Sequence, residues 1–310
     1  MKLNTMTLSL VCLAAFALLF AVSTPAQKLQ LPTQAHPAKA VIGDASATHT
    51  TQERPKHDAA SPASTQTCTY KFASGSGTTY LQFCVTVDGN IVEFQSPAGV
   101  EQLNPQGIGP REGYGICDGF TDLAYYDYAY TDSGNWGAPT TVSHTATSVK
   151  IERTTSDGAW TLTQTISSVA GTNPYAKVVM ALKNNSGTTK EVVLLRFANA
   201  VPDSAGSTGN FFQDYDGTVD SAWGNTPYSS TNGSGQYGLM IQNVGNPAPV
   251  SIPYFRQGFA TTGTAAPEPC NARMNLASPI VEADGSTVYY YVLQLTKDQT
   301  GTITERYMPF

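Results

Sequence analysis

The chain has 310 residues, of which 13% are charged and 41% are hydrophobic, and its 23 acidic and 17 basic residues give a net charge of −6. This apolar content is too high for a wholly disordered chain. An acidic balance without a cluster of Lys and Arg also excludes the usual electrostatic footprint of a nucleic-acid-binding protein.

Residues 1–26 have the organisation of a cleavable secretory signal peptide. Lys2 supplies the positive charge, residues 8–22 form the apolar run, and the small residues Thr24 and Ala26 mark a cleavage site before residue 27. An apolar run of about 15 residues is shorter than the roughly 20 that a membrane-spanning helix needs. We therefore expect a secreted or periplasmic mature protein without a transmembrane segment.

Residues 27–66 are rich in Pro, Ala, Thr and Ser and contain almost no aromatic or periodic apolar signal. Such a segment cannot bury enough surface to offset the entropic cost of ordering, so we interpret it as a disordered tether. Three of the four histidines lie in it, but His36, His49 and His57 are too far apart for an ordinary metal-binding motif.

Residues 67–310 form the predicted folded domain, in which alternating apolar runs flank short turn sequences typical of β-hairpins. Three hairpins are predicted, joining residues 80–87 to 90–94, 149–154 to 160–166, and 176–182 to 191–197. Residues 287–295 form a further strand, and no stretch has a convincing helical pattern. The prediction is an all-β fold, a large antiparallel β-sandwich made as one domain or as two fused sandwiches.

Four cysteines remain after loss of the leader, and an exported protein is expected to oxidise them: Cys68, Cys84, Cys117 and Cys270. A hairpin centred on Ser76 would place Tyr70 opposite Gln82, and Cys68 opposite Cys84. We therefore predict a disulfide between Cys68 and Cys84, and the other pair follows by elimination. Metal binding is the weaker interpretation, since no two cysteines are two to four residues apart.

The histidine content limits the catalytic schemes that are open to the domain. His144 is its one histidine, which excludes a zinc site with several histidine ligands and makes any Ser-His-Asp triad depend on this residue. The chain has no nucleophile-elbow motif and no P-loop. The predicted architecture resembles the large sandwiches of the sugar mutarotases, whose histidine-dependent catalysis needs more than His144.

Residues 110–139 combine acidic and aromatic side chains. The candidate catalytic acids are Glu112, Asp118 and Asp127, and the candidate ligand-binding rings are Tyr125, Tyr126, Tyr128 and Trp136. Aromatic faces stack on sugar rings while carboxylates accept hydrogen bonds from hydroxyl groups. Two carboxylates can also catalyse glycoside hydrolysis. The alternative is a long structural loop whose tyrosines pack against the sandwich.

Three aspartates suggest calcium as the one candidate cofactor. Asp214, Asp216 and Asp220 lie in a short segment with a glycine, and such carboxylate oxygens can surround a hard cation. The spacing does not match an EF-hand, and the alternative is that Asp216-Gly217 only forms a turn.

Taken together, these features favour a secreted protein that binds carbohydrate or another extracellular polymer through residues 110–139. Two alternatives remain open at this point. One is a hydrolase or lyase that acts on polysaccharide with a carboxylate pair, and the other is a structural or adhesive surface protein.

Overall fold

The computed structural model describes residues 67–104, 111–119, 121–202, 214–217, 220–225, 237–262, 268–272, 281–282 and 285–310. The predicted signal peptide and tether lie outside these ranges. All described residues belong to one compact unit of the chain, Glu53–Phe310. Within the described ranges, no helix has the length and apolarity needed to cross a bilayer.

The all-β prediction is confirmed, because the described residues form seventeen strands and two very short helical segments. The first ten strands are β1 Tyr70–Ser74, β2 Leu81–Val85, β3 Ile91–Gln95, β4 Glu112–Asp118, β5 Leu123–Asp127, β6 Thr140–His144, β7 Ser148–Thr154, β8 Trp160–Val169, β9 Tyr175–Asn184 and β10 Lys190–Ala198. The remaining strands are β11 Asp214–Gly217, β12 Ser221–Asn225, β13 Gly238–Asn243, β14 Tyr254–Thr262, β15 Val281–Glu282, β16 Gly285–Leu295 and β17 Thr300–Pro309. A 3-10 turn covers Gly77–Thr79 and helix α1 covers Pro269–Ala272.

The described strands pair into three antiparallel sheets. Their orders are β1-β2-β3, then β14-β16-β10-β4-β5, and finally β15-β11-β12-β13-β17-β9-β8-β7-β6. The five-stranded and nine-stranded sheets pack face to face, and the three-stranded sheet adds Phe72, Phe83 and Phe94 to the same hydrophobic core. Strands β8 and β9 alternate buried and half-buried residues over most of their length, as expected for strands with one face on the core.

Two of the three predicted hairpins are confirmed, since β2 pairs with β3 and β7 pairs with β8. The third is wrong: β9 lies between β8 and β17, whereas β10 lies between β16 and β4 in the other sheet. At this crossover, the buried side chain of Asn184 donates hydrogen bonds to the carbonyl oxygens of Thr188 and Leu295 at 2.8 and 3.0 Å. The turn residues therefore carry the chain across the sandwich.

Both predicted disulfides are confirmed, with Cα–Cα distances of 5.5 Å for Cys68–Cys84 and 4.9 Å for Cys117–Cys270. The predicted hairpin register is wrong, because Tyr70 lies opposite Val85 and not opposite Gln82. The 3-10 turn at Gly77–Thr79 moves the centre of the hairpin towards the second strand. Cys68 therefore reaches Cys84 diagonally across the end of the pair.

Much of the segment 110–139 is regular strand. β4 lies between β10 and β5 in the five-stranded sheet, and all seven of its residues are buried. Its glycines permit close packing, because a Cβ atom at Gly113 would overlap the backbone carbonyl of Asp127, and one at Gly115 would overlap Pro269. The acids at the two ends of β4 are consequently enclosed by neighbouring elements.

Candidate functional site

Glu112, the first predicted catalytic acid, is fully buried at the start of β4. Its Oε1 atom pairs with the Arg196 guanidinium and accepts a hydrogen bond of 2.5 Å from the Tyr307 hydroxyl. Its Oε2 atom accepts one of 2.6 Å from the backbone N–H of Ile91. Burial is the largest influence on the pKa of Arg196 and lowers it, but Glu112, Tyr307 and Glu305 together outweigh burial and raise this pKa above its ordinary value. The acid is therefore part of a closed buried ion pair.

Asp127, the second acid that the sequence singled out, forms a separate buried pair beside the first. Its Oδ2 atom lies 2.6 Å from Nη1 of Arg153, and its Oδ1 atom accepts a hydrogen bond from the backbone N–H of Ala129 at 3.0 Å. The same guanidinium nitrogen donates to the Tyr114 hydroxyl at 3.0 Å. The structure thus brings Glu112 and Asp127 near each other but gives each its own arginine.

The turn between β2 and β3 joins the two ion pairs. Asn90 donates from its side chain to the carbonyl oxygens of Asp127 and Glu112 at 2.9 and 3.3 Å. Gln164 accepts a hydrogen bond of 2.5 Å from Arg196 and donates one of 3.4 Å to the carbonyl oxygen of Asp88. Since buried charges must be paired and hydrogen-bonded, this network ties the three sheets together and leaves neither acid facing solvent.

Asp118, the third predicted catalytic acid, lies at the opposite end of β4. It lies six positions along the strand from Glu112, which corresponds to roughly 20 Å. Its carboxylate pairs with Nζ of Lys190 at 3.1 Å. The three predicted acids therefore do not converge on one cleft, and their catalytic roles stay predictions.

The four predicted ligand-binding rings are divided between the two faces of the five-stranded sheet. Tyr125 and Trp136 pack in the main core with ring centroids 6.2 Å apart, whereas Tyr126 and Tyr128 stack at 5.2 Å on the outer face beside Phe197. Three of the rings are at most 2% exposed, and Tyr126 is half-buried. They do not form one exposed platform, and their role in binding stays a prediction.

The predicted calcium ligands are only partly described. Asp214 and Asp216 belong to β11, and their side chains lie outside the described part of the structure. Asp220 is exposed, and its Oδ1 atom pairs with Nη2 of Arg256 at 2.9 Å. A guanidinium at this position competes with a cation for the carboxylate, so the calcium site stays a prediction.

Two groups of described side chains have the spacing of metal ligands, and each contains a disulfide. They are Cys68, Cys84 and Glu93, and Cys117, Asp122 and Cys270. Metal ligation requires a cysteine thiolate, and these sulfurs are instead bonded to each other. Neither group therefore supports a metal site.

Exposed apolar side chains concentrate in the loop that joins β13 to β14 and at the start of β14. Seven large hydrophobic residues of the described chain are exposed, and four of them lie here: Val244, Val250, Tyr254 and Phe255. We call residues 244–256 the loop surface. Exposed apolar residues that cluster along the chain can mark binding sites on soluble proteins.

The loop surface is held in place by backbone pairing with β17. Ala248 and Thr302 exchange two hydrogen bonds of 2.8 Å, and the N–H of Val244 donates to the carbonyl oxygen of Thr304 at 2.8 Å. Beneath them, Ile252 is buried and belongs to the main hydrophobic core. The exposed rings are therefore carried by a fixed segment, which lowers the entropic cost of binding.

Polar groups surround the exposed ring of Tyr254. Its hydroxyl donates to Oδ1 of Asn246 at 2.7 Å, and the same atom accepts a hydrogen bond of 3.1 Å from Nη1 of Arg256. Arg256 also pairs with Asp220, and its guanidinium carbon lies 5.7 Å from the Tyr254 ring centroid. The site thus combines a ring face with an amide, a guanidinium and a carboxylate.

Sequence reasoning missed the loop surface, although a signal was present. Residues 243–255 carry no charge, include three prolines and end in Tyr-Phe. Residues 110–139 attract the prediction of a binding site instead, because acidic and aromatic side chains are both frequent there.

A row of polar residues leads from the loop surface into the sandwich. The N–H of Asn243 donates to the carbonyl oxygen of Asp220 at 2.9 Å, and Oδ1 of Asn243 accepts a hydrogen bond of 2.7 Å from Tyr291. In the pair formed by β13 and β17, Asn243 lies opposite Glu305.

Glu305 is a fully buried acid, and neither of its carboxylate oxygens has a hydrogen-bond partner in the described structure. Burial raises the pKa of Glu305 to about 8 against the opposing charge of Arg196.

Two solved structures resemble the chain at low sequence identity. No family model matches the chain, and no curated protein matches it. A candidate aldose 1-epimerase from Escherichia coli K12 superposes with a TM-score of 0.41 at 10% identity, over 78% of this chain and 99% of that one. A bacterial glucoamylase in complex with acarbose superposes with a TM-score of 0.46 at 11% identity, over 82% of this chain and 34% of that one. Both superpositions are too loose to transfer a residue or a role.

Proposed function

We propose that the protein is an exported, non-catalytic carbohydrate-binding protein that holds its ligand on the loop surface. The observation that carries the proposal is the exposed ring of Tyr254, with Asn246, Arg256 and Asp220 around it. Sugars present apolar C–H faces that pack on aromatic rings and hydroxyl groups that both donate and accept hydrogen bonds. The loop surface offers groups for both kinds of contact.

The charge of the site favours a neutral glycan. Asp220 compensates the positive charge of Arg256, so the pair presents one donor group and one acceptor group with no net charge. A polyanion would instead be repelled by the folded region. Residues 67–310 hold 12 basic and 20 acidic residues, because residues 1–66 account for five of the 17 and three of the 23.

The burial of the predicted acids disfavours the hydrolase alternative. Glu112 and Asp127 are fully buried in ion pairs, where a polysaccharide cannot approach them. Export is supported by the leader-like sequence of residues 1–26 and by the two disulfides, which persist in oxidising compartments.

The proposal is tested by binding of residues 27–310 to a panel of neutral and acidic polysaccharides. Tyr254 is 40% exposed, so covering about 80 Å² of its ring contributes about 2 kcal/mol, or about 30-fold in affinity. We expect Tyr254→Ala to lose this factor on a neutral glycan. Tyr130→Ala, at a ring that is 52% exposed in segment 110–139, is the matched control and should bind as the wild type does.

Other outcomes separate the remaining hypotheses. Loss of binding in Tyr130→Ala or Tyr126→Ala, with Tyr254→Ala unaffected, would indicate that the binding site lies in residues 110–139. Wild-type protein that binds no glycan in the panel would contradict carbohydrate binding and favour the structural or adhesive role.

A further inference from the structure

Strand β6 is the terminal strand of the nine-stranded sheet, and it pairs only with β7 in the described structure. All five of its residues are exposed, whereas the neighbouring β7 alternates regularly between buried and half-buried residues. An edge strand presents unpaired backbone N–H and C=O groups along its outer side. Among the described residues, β6 is therefore an exposed sheet edge with no strand paired to its outer side.

The position of β6 is nevertheless fixed. The Tyr70 hydroxyl lies 2.6 Å from Oγ1 of Thr141, and the Tyr70 ring centroid lies 4.9 Å from that of His144. At the other end of the strand, the N–H of Thr145 donates to the carbonyl oxygen of Ser148 at 2.8 Å. These contacts hold one face and the turn of β6, and they leave its outer edge available for pairing.

The sequence of this edge lacks the charges that usually prevent strand association. Residues 133–149 contain no Asp, Glu, Lys or Arg. Thr140, Thr141 and Val142 are β-branched residues, which favour strands, and Val142 is 49% exposed. The protective features present are Pro139, which precedes the strand, and the bulge at Val142.

A second copy of the chain is the partner that fits this edge best. Residues 67–310 carry a net charge of −8, so two copies repel each other over most of their surfaces. An uncharged edge is where this repulsion is weakest, and an antiparallel strand pair satisfies the two-fold symmetry of a homodimer. We propose that two copies associate through β6, which joins their nine-stranded sheets into one continuous sheet.

The expected dimer is weak, because a pair of five-residue strands buries less area than the roughly 1,200 Å² of a standard interface. Sedimentation velocity of residues 27–310 over a wide range of concentration should show a monomer–dimer equilibrium with a micromolar Kd. Val142→Lys should weaken the dimer at least about tenfold, since it places two like charges at the new strand pair.

Matched variants keep the test specific. Val142→Thr retains a neutral β-branched residue and should dimerise as the wild type does. Val250→Lys adds the same charge to the loop surface, at a side chain that is 88% exposed, and should also leave the dimer intact. Far-UV circular dichroism checks that each variant is folded. A wild type that stays monomeric, a Val142→Lys variant that dimerises normally, or a Val250→Lys variant that does not dimerise would each overturn the proposal.

Discussion

Replacing Glu305 with Gln should remove a pH dependence from the stability of the protein. The side chain is fully buried, its oxygens have no hydrogen-bond partners among the described residues, and burial raises its pKa to about 8 from an ordinary 4.5. A buried carboxylate without a donor is too costly to ionise, so the folded protein keeps the proton. Gln has nearly the same shape and never ionises.

The sign of the effect follows from proton linkage. Because the folded state binds this proton more tightly than the unfolded state, wild-type stability falls as pH rises from about 4.5 to about 8, by up to about 1.4 kcal/mol per pH unit. The total loss is about 5 kcal/mol, of which about 3 kcal/mol has occurred by pH 7. Burial raises the pKa of Glu101 to about 7, and this residue adds the same pH dependence to the unfolding free energy of the wild type and of the variant.

The assay is urea unfolding of the wild type and Glu305→Gln at several pH values between about 5 and 9. The difference in unfolding free energy should grow with pH in favour of the variant and level off above about pH 8. Asp298→Asn, which changes an exposed acid, should follow the wild type. A difference that stays constant over this range would refute the reasoning, because Glu305 would then have the same pKa in both states.

Two further predictions concern the core. Glu112→Gln breaks a fully buried ion pair and should lower the unfolding free energy by about 3–5 kcal/mol. The control Asp298→Asn should change it by less than about 0.5 kcal/mol. Equal effects of the two substitutions would contradict a stabilising role of the buried ion-pair network. Replacing Cys117 and Cys270 by Ser removes a disulfide that closes a loop of 153 residues. This should lower the unfolding free energy more than replacing Cys68 and Cys84, whose disulfide closes a loop of 16 residues. The chain-entropy relation gives about 5 against about 3 kcal/mol, and thermal melts that reverse this order would contradict it.

The strands and the disulfides were the parts of the fold that local sequence could predict. Turn sequences such as Asp88-Gly89 flanked by alternating residues identify a hairpin because the pattern and the turn agree. The turn sequence that follows Asn184 has the same local pattern but forms a crossover between sheets, since a hairpin and a crossover both need turn residues. The strand pairing distinguishes the two, because β9 pairs with β8 and β17 whereas β10 pairs with β4 and β16.

The candidate site was harder to predict because sequence does not report burial on both faces of a strand. Acids such as Glu112 and Asp127 look like surface residues until arginines from other strands are brought beside them. Trp136 and Tyr125 are core residues as well, and the Trp136 ring packs edge-on against Tyr125 and Tyr114. Conversely, Tyr254 follows a proline-rich stretch without a charge, and its ring is 40% exposed at the start of β14.

The most direct test of the proposed function is the affinity of wild-type protein and Tyr254→Ala for the same neutral polysaccharide, measured by isothermal titration calorimetry. Carbohydrate binding on the loop surface predicts a loss of about 30-fold in the variant. Equal affinities of the two proteins would contradict a binding site at Tyr254.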